Sequence, residues 1–310
     1  MKILITGACG LIGRELIKEL ESRGHELALV DKQRPEEATV YSGFAPRAKI
    51  PFTTEWPFHQ ADIMDAEKMG EIVRSSGAEA IVHLAALPTG EPHVGRETFY
   101  FNATGTFYLL DVARSADVSR FVVASSVNAF GTFYWRINPT PVKYTHLPLT
   151  EEFPPEPQDP YSLSKLVNEL TCAAFHRAYG IATAALRFGG VWSEDRYADA
   201  VENGLRPVTG WSDMLYSWVH VKDVVAGIRQ ALEAKDLPGF GVYTLNSSDT
   251  SCLEPTMEII ERFRPEYKDI LTKPISGHDA LISTDKARRT FGFAPKYRLD
   301  EARKRGPRKD

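Results

Sequence analysis

The first thirty-one residues restrict the fold more than any other part of the chain. Ile3 to Thr6 is a short apolar run of the kind shown by a strand buried on both faces. It meets a glycine-rich turn, Thr6-Gly7-Ala8-Cys9-Gly10-Leu11-Ile12-Gly13, and then Leu11, Ile12, Leu16, Ile17 and Leu20 recur at helical spacing until Gly24. A second strand, Glu26 to Val30, ends in Asp31. In such a unit Gly7 permits the tight turn, Gly10 lets backbone amides approach a pyrophosphate, and Gly13 brings helix and sheet together. Strand, glycine turn, helix, strand and terminal acid therefore read as a dinucleotide site, with the phosphates on the helix N-terminus. Asp31 accepts from an adenosine ribose and repels a 2′-phosphate, which favours NAD. Lys32 and Arg34 are cations able to offset it, and they leave the phosphorylated cofactor open.

A second stretch, Tyr161-Ser162-Leu163-Ser164-Lys165, places a phenol and an ammonium four residues apart, on one face of a helix. Pro160 suits the first turn of that helix, and Gly180 ends it. An unperturbed phenol has a pKa near 10, so acid–base work at neutral pH needs about 4 kcal/mol of preferential phenolate stabilisation. Lys165 and a positive nicotinamide ring both supply charge of the right sign. Read with the glycine turn, the pair points to hydride transfer with Tyr161 handling the proton.

The rest of the chain continues the alternation. His59 to Ile63 reads as a third strand, and Asp65 caps a helix over 66–75. Ala80 to Ala86 is a fourth strand, 98–114 a long helix, Phe121 to Ala124 a fifth strand, and Ile181 to Phe188 a sixth. This predicts an α/β fold: a Rossmann-like, doubly wound parallel sheet, with a smaller C-terminal α/β region for substrate. Residues 1–188 form the dinucleotide-binding domain in this reading. Residues 189–310 are mainly substrate-binding, with some elements returning to the first domain. In the second part, 218–234 enters a helix, Val242 to Asn246 is a strand, Pro255 to Phe263 a helix, and Asp285 to Phe291 a last helix. Residues 32–57 read as a long irregular loop, a lid or an insertion. The proline- and aromatic-rich segment 130–160 lies between two candidate catalytic groups and is placed to close over a substrate. The helix at 98–114 carries more aromatics than one core face needs, which suits a subunit contact. His83 reads as a packed core histidine, since no acid or nucleophile stands beside it.

Bulk properties exclude several classes. The formal charge is −4, which gives no electrostatic footprint for nucleic acid. The basic cluster Arg303-Lys304-Arg305, with Arg308 and Lys309, reads as a solvated, frayed terminus. Three cysteines, Cys9, Cys172 and Cys252, are too few and odd for a disulfide framework, and no metal-ligand spacing occurs. Cys9 at a helix N-terminus invites a redox-active thiol, against the plainer role of a small residue in a turn. No apolar run reaches the length of a membrane span, and no signal-like segment follows Met1. The expectation is a soluble cytoplasmic protein without metal, nucleic-acid or membrane partners.

These residues together resemble the extended short-chain dehydrogenase/reductase superfamily, and within it the NAD-dependent epimerase/dehydratase family. The resemblance rests on Thr6-Gly7-x-x-Gly10-x-x-Gly13, Asp31, Asp62-Ile63, His83-Leu84-Ala85-Ala86, Asn102, Ser125-Ser126, Tyr161-x-x-x-Lys165, Trp218-Val219-His220-Val221-x-Asp223 and Thr284-Asp285-Lys286-Ala287-Arg288. It implies NAD as cofactor, held by Gly7, Gly10, Leu11, Ile12, Gly13, Asp31, Asp62, Ile63, Leu84, Ala85, Ala86, Asn102, Tyr161 and Lys165. It implies Ser126, Tyr161 and Lys165 as the catalytic set. Ser126, Asn128, Arg187, Gly190 and Tyr216 are the implied substrate positions. It also implies a homodimer through the helix of Tyr161 and the helix before Ser125.

Departures from the family pattern narrow the reaction. Dehydratases carry an Asp-Glu pair where this chain has Val127-Asn128, and a neutral amide does no acid–base work at neutral pH. Nucleotide-sugar epimerases typically have asparagine and arginine where Gly190 and Tyr216 stand, so the natural diphosphate clamp is missing; Arg196 or Arg206 would have to replace it. The segment resembles uronate dehydrogenases, with Asp213 in place of their carboxylate-binding arginine. The leading expectation is an NAD-dependent dehydrogenase of a small carbohydrate or sugar acid. The alternatives are a nucleotide-sugar 4-epimerase and a non-catalytic NAD-binding protein.

Overall fold

Apolar segments too short to span anything but a sheet, joined by amphipathic helices, have one economical arrangement: strands side by side with helices on both faces. The computed structural model, which describes residues 1–40, 48–132, 137–138, 140 and 142–308, has this arrangement. Seven strands, β1 (Lys2–Thr6), β2 (Glu26–Asp31), β3 (Phe58–Gln60), β4 (Ala80–His83), β5 (Arg120–Ser126), β6 (Ala182–Phe188) and β7 (Phe240–Leu245), form one sheet. Their order is β7-β6-β5-β4-β1-β2-β3, and every pairing is parallel. The order reverses between β1 and β4, so the crevice for a ligand lies outside their carboxyl ends.

The helices are α1 (Leu11–Glu21), α2 (Ala66–Ser76), α3 (Gly95–Ser115), α4 (Pro160–Tyr179), α5 (Glu194–Asn203), α6 (Val221–Glu233), α7 (Thr256–Phe263), α8 (Asp285–Phe291) and α9 (Asp300–Arg305). One core layer joins α1 and α6 to the sheet through residues such as Ile5, Leu16, Val82, Leu186 and Ile228. The other joins α2, α3 and α4 through Leu4, Ile72, Ile81, Leu109 and Phe175. Asp65 caps α2 by accepting from the Lys68 amide, and Gly77 ends that helix in the left-handed region.

Several expectations change in detail. β3 stops at Gln60, because Asp62 turns the chain, its Oδ1 accepting from the Met64 amide. The described part of 32–57 contains a short antiparallel pair, Thr39–Val40 with Ala48–Lys49, and packs Phe52 and Trp56 beside α1. It is an insertion laid on the helix; Tyr41 to Arg47 lie outside the described residues. The described part of 130–160 is irregular, as its prolines require, yet Tyr144, Leu147, Leu149 and Phe153 are buried with Leu215, Ile260, Tyr267, Leu281 and Ile282. It supplies part of the second region's core.

The C-terminal basic cluster is also not frayed over its described part. α9 is a helix the sequence reading did not anticipate, and Arg303 is buried in it. Its guanidinium donates to Asp249 Oδ2 at 2.6 Å and to the carbonyls of Cys252 and Thr250. Asp249 also accepts from the Leu299 amide, Trp218 Nε1 and Ser247 Oγ. Asp223 accepts from the amides of Lys296 and Tyr297. The Trp218–Asp223 motif is thus the seat onto which the last thirteen described residues are clipped. Removing one partner of a buried ion pair costs about 3–5 kcal/mol, so Asp249→Ala should lower the thermal midpoint by several degrees and loosen residues 296–308 in hydrogen exchange.

Candidate active site

β1 delivers its chain to Gly7, which has φ +74°, and an added Cβ there would lie 2.7 Å from the Ala85 amide nitrogen. Only glycine fits against the exit of β4 in this conformation. Gly10 caps α1 without a side-chain bond, so the amides of the first turn, Leu11 and Ile12 among them, have no acceptor from the helix itself. At the end of β2, Asp31 is oriented by two amides: Oδ2 accepts from Cys9 and Oδ1 from Gln33, each at 2.9 Å. A tight turn, an open helix N-terminus and an oriented carboxylate fit a dinucleotide. Leu84, Ala85 and Ala86 follow β4 beside Gly7 and are half-buried. Ile63 is buried against Gly105 of α3, and Asp62 is exposed.

Cys9 is fully buried and its thiol is pushed up to about 12, first by burial and then by the Asp31 charge. A thiolate is thus disfavoured at this helix N-terminus, which removes the basis for a redox role.

His83 hydrogen-bonds Thr6 Oγ1 at 2.7 Å and Thr106 Oγ1 at 3.1 Å. Burial, reinforced by Lys165, pushes its pKa down to about 3, so it is neutral. Thr106 donates to the Asn102 carbonyl. Asn102 in turn pins the loop after β4, accepting from the Leu87 amide at 2.8 Å and donating to its carbonyl, and it also reaches Ser164 Oγ on α4. Its amide is thereby committed to protein groups.

Tyr161 and Lys165 reach the crevice because α4 is fixed at its start. Asp159 accepts from the Ser162 amide and hydroxyl, and Pro160 packs on Gly95 of α3. Ser126 ends β5, and its Oγ both accepts from the Asn128 amide and hydrogen-bonds the Tyr161 side chain. Lys165 is buried, with Nζ donating to the Ala124 carbonyl at 2.8 Å and lying 5.5 Å from the centre of the Tyr161 ring. Hydroxyl, phenol and ammonium therefore converge at the end of β5. The electrostatics differ from the sequence argument. Burial pushes Tyr161 up to about 12 against the Ser126 hydrogen bond, with Asp159 adding to the rise. Burial also pushes Lys165 down to about 8, partly opposed by Glu169. Desolvation outweighs the attraction that the four-residue spacing suggests.

Two residues to which the sequence reading gave no role, Glu169 and Phe130, support this group through Arg187 and Ser125. Glu169 makes a buried bidentate pair with Arg187, both contacts at 2.8 Å, and accepts from Ser125 Oγ at 2.6 Å. Phe130 covers the guanidinium at 4.3 Å. Arg187 is thus committed beneath β5 instead of facing the crevice, although Nη1 is buried without a partner. Glu169 sits eight residues after Tyr161 on α4; that spacing was readable, but its partner on β6 was not. Gly190 follows β6, with its carbonyl accepting from Val219. Tyr216 has φ +52°, as does Leu215, and its hydroxyl turns back to the Gly210 carbonyl and the Ser212 amide. Asn128 is buried in the turn after Ser126.

A parallel Rossmann-like sheet with Ser, Tyr and Lys at the switch crevice defines the short-chain dehydrogenase/reductase type. Residues 3–245 match the model of the NAD dependent epimerase/dehydratase family, and the chain belongs to that family. It is 27% identical to an epimerase/dehydratase of Staphylococcus saprophyticus, covering 96% of this chain and 93% of the relative. Among solved structures it is similar to UDP-glucose 4-epimerase of Thermotoga maritima, with a TM-score of 0.68, 22% identity and coverage of 98% and 96%. It is also similar to a short-chain dehydrogenase/reductase superfamily protein of Agrobacterium tumefaciens with bound NAD, with a TM-score of 0.69, 20% identity and coverage of 98% and 95%. The family is NAD-dependent, and the α/β fold expected from the sequence is the one observed. Among the described residues no helix is long and apolar enough to cross a membrane.

Lys165 carries a stability consequence. Its folded pKa, about 8, lies below the usual lysine value, so the unfolded chain binds a proton that the folded chain releases. The cost is fully present below pH 8 and fades as pH rises toward the unfolded value. Lys165→Met should raise stability near pH 7 by about 1–3 kcal/mol, with the gain shrinking above pH 9 in urea titrations.

Proposed function

We propose that the chain is an NAD-dependent oxidoreductase moving hydride between NAD and a hydroxyl-bearing carbon of a small carbohydrate or sugar acid. The convergence of Ser126, Tyr161 and Lys165 at the end of β5 carries this reading. NAD, when bound, would supply the carbon that accepts hydride and, when oxidised, a positively charged ring. Gly7, Gly10, Leu11, Ile12, Gly13, Asp31, Asp62, Ile63 and Leu84 to Ala86 would hold its adenosine and phosphate end, and Lys165 with Tyr161 would hold the nicotinamide ribose. Asn102 acts by holding the loop after β4.

Ser126 holds the substrate hydroxyl oxygen, and Tyr161 takes the hydroxyl proton as the carbon bearing that oxygen gives up hydride to the oxidised cofactor and becomes a carbonyl. The phenol is held up to about 12 by the protein's own groups, so positive charge arriving with the oxidised cofactor is what makes it a usable base. Asn128 and the backbone at Gly190 border the substrate. Gly190 and the inward-turned Tyr216 hydroxyl offer no cationic fork for a diphosphate. That supports free sugars over nucleotide sugars, and dehydrogenation over 4-epimerisation, which uses the same three residues.

A panel of free sugars and sugar acids should yield net NADH with at least one member, and Tyr161→Phe should lose at least about a hundredfold in kcat with NAD affinity retained. Isomerisation of a UDP- or dTDP-sugar without net NADH would replace this reading with the epimerase. Activity untouched in Tyr161→Phe would point to the non-catalytic one.

The protein is also proposed to act as a homodimer. Tyr100 and Phe107 on α3, with Leu163 and Leu170 on α4, are 41–60% exposed on two helices packed side by side, more apolar surface than scattered residues explain. Light scattering should give twice the monomer mass, and Phe107→Glu with Leu170→Arg should shift it to the monomer.

A further inference from the structure

Beneath Ser126 and Lys165 lies a buried ion pair whose contacts flank both. Glu169 stands on α4 one turn beyond Lys165, and Arg187 stands on β6 directly opposite Ser125 of β5. Glu169 Oε1 accepts from Ser125 Oγ at 2.6 Å and from Arg187 Nε at 2.8 Å, and Oε2 accepts from Arg187 Nη2 at 2.8 Å. The two side chains are 4% and 3% exposed. The guanidinium lies 4.3 Å from the ring centre of Phe130, the last residue of the turn Val127–Phe130. The pair therefore touches the residue before Ser126 and the turn after it. With Lys165 Nζ donating to the Ala124 carbonyl, α4 holds the end of β5 at two successive residues.

Stability is a poor account of this arrangement. Apolar residues of similar volume often replace a buried ion pair without loss, and Arg187 Nη1 has no partner among the described residues, a further cost. What an apolar pair could not offer is an acceptor for Ser125 and a negative charge near Lys165. The neighbouring titratable groups are neutral: Tyr161 and Cys172 on α4, both pushed up by burial, and His83 at the end of β4. α3 meets this part of α4 with the Asn102 amide on Ser164, and Asp159 commits its oxygens to Ser162. Burial disfavours the Lys165 ammonium, and Glu169 opposes that effect.

We propose that Glu169 is a positioning residue for proton transfer: clamped by Arg187, it seats Ser125, and so Ser126, against α4, and it sets a negative charge one turn from the Lys165 ammonium. The inference rests on Ser126, Tyr161 and Lys165 being the proton-transfer set, and adds a residue that acts on them from beneath.

The charge is tested without substrate, by following the NMR signal of Lys165 Cε against pH in the full-length protein, assigned by its loss in Lys165→Met. Glu169→Gln keeps the shape and an acceptor for Ser125, and should lower the midpoint by at least about half a pH unit; a smaller fall overturns the electrostatic role. Should that variant not fold, Glu169→Gln with Arg187→Met removes both buried charges together, and the same criterion applies. Ser125→Ala keeps the charge and deletes the contact. With the sugar that yields NADH in the panel above, it should lower kcat at least about threefold while KM for NAD stays within about twofold of the parent. A smaller fall in kcat, or a KM for NAD that rises in step with it, overturns the seating of Ser126. Activity untouched in Tyr161→Phe marks failure of the catalytic reading. A loss of about a hundredfold in Tyr161→Phe beside unchanged kcat in Ser125→Ala and Glu169→Gln marks failure of this inference alone.

Discussion

The site depends on a line of buried hydrogen bonds running across the carboxyl end of the sheet. Thr6 on β1, His83 on β4, Thr106 and Asn102 on α3, and Ser164 on α4 are joined in sequence. Each group is buried, so each would cost free energy if its partner moved away. His83 holds both threonines as a neutral ring, because a charged one would be unsupported there. Through this line the glycine turn, the loop after β4 and the helix carrying Tyr161 share one register. The glycine turn and the start of α4 are thereby set relative to one another before any ligand arrives.

The same economy governs the catalytic pair. A phenol and an ammonium buried together are both driven toward neutrality, Tyr161 upward and Lys165 downward. The buried ammonium is anchored on the Ala124 carbonyl, and the phenol is held protonated by the protein's own groups. Glu169 and Arg187 brace the neighbouring Ser125 from beneath, and their mutual pairing keeps two charges from disturbing the crevice. Stability is given up at Lys165, which suits its proposed role, a common bargain at functional sites.

The second region is built differently. Its core comes from four separated parts of the chain: the segment after β5, the turn at Leu215 before α6, α7 together with Tyr267 just beyond it, and the turn at Leu281-Ile282. Asp223 and Asp249 bind the C-terminal segment back over it. A region made in this way responds to changes far apart in sequence, and it can differ between relatives while the sheet stays constant.

The dinucleotide turn, the strand–helix alternation and the Tyr161–Lys165 pair were legible in the residues because they rest on local periodicity and on glycines with one conformational purpose. α9, the burial of Arg303, the packed state of 142–153 and the commitment of Arg187 to Glu169 were not, since each depends on a partner many residues away. The rise of the Tyr161 pKa in the protein's own groups was not legible for a related reason: sequence spacing shows which charges are near, and only the folded environment shows how much water has been removed. By itself, then, the sequence determined the sheet, the cofactor class and the Tyr161–Lys165 pair proposed to move the proton. The tertiary structure decided which charged groups face the crevice, which are spent beneath it, and how strongly desolvation tunes the rest, because burial and long-range pairing exist only once the chain is folded.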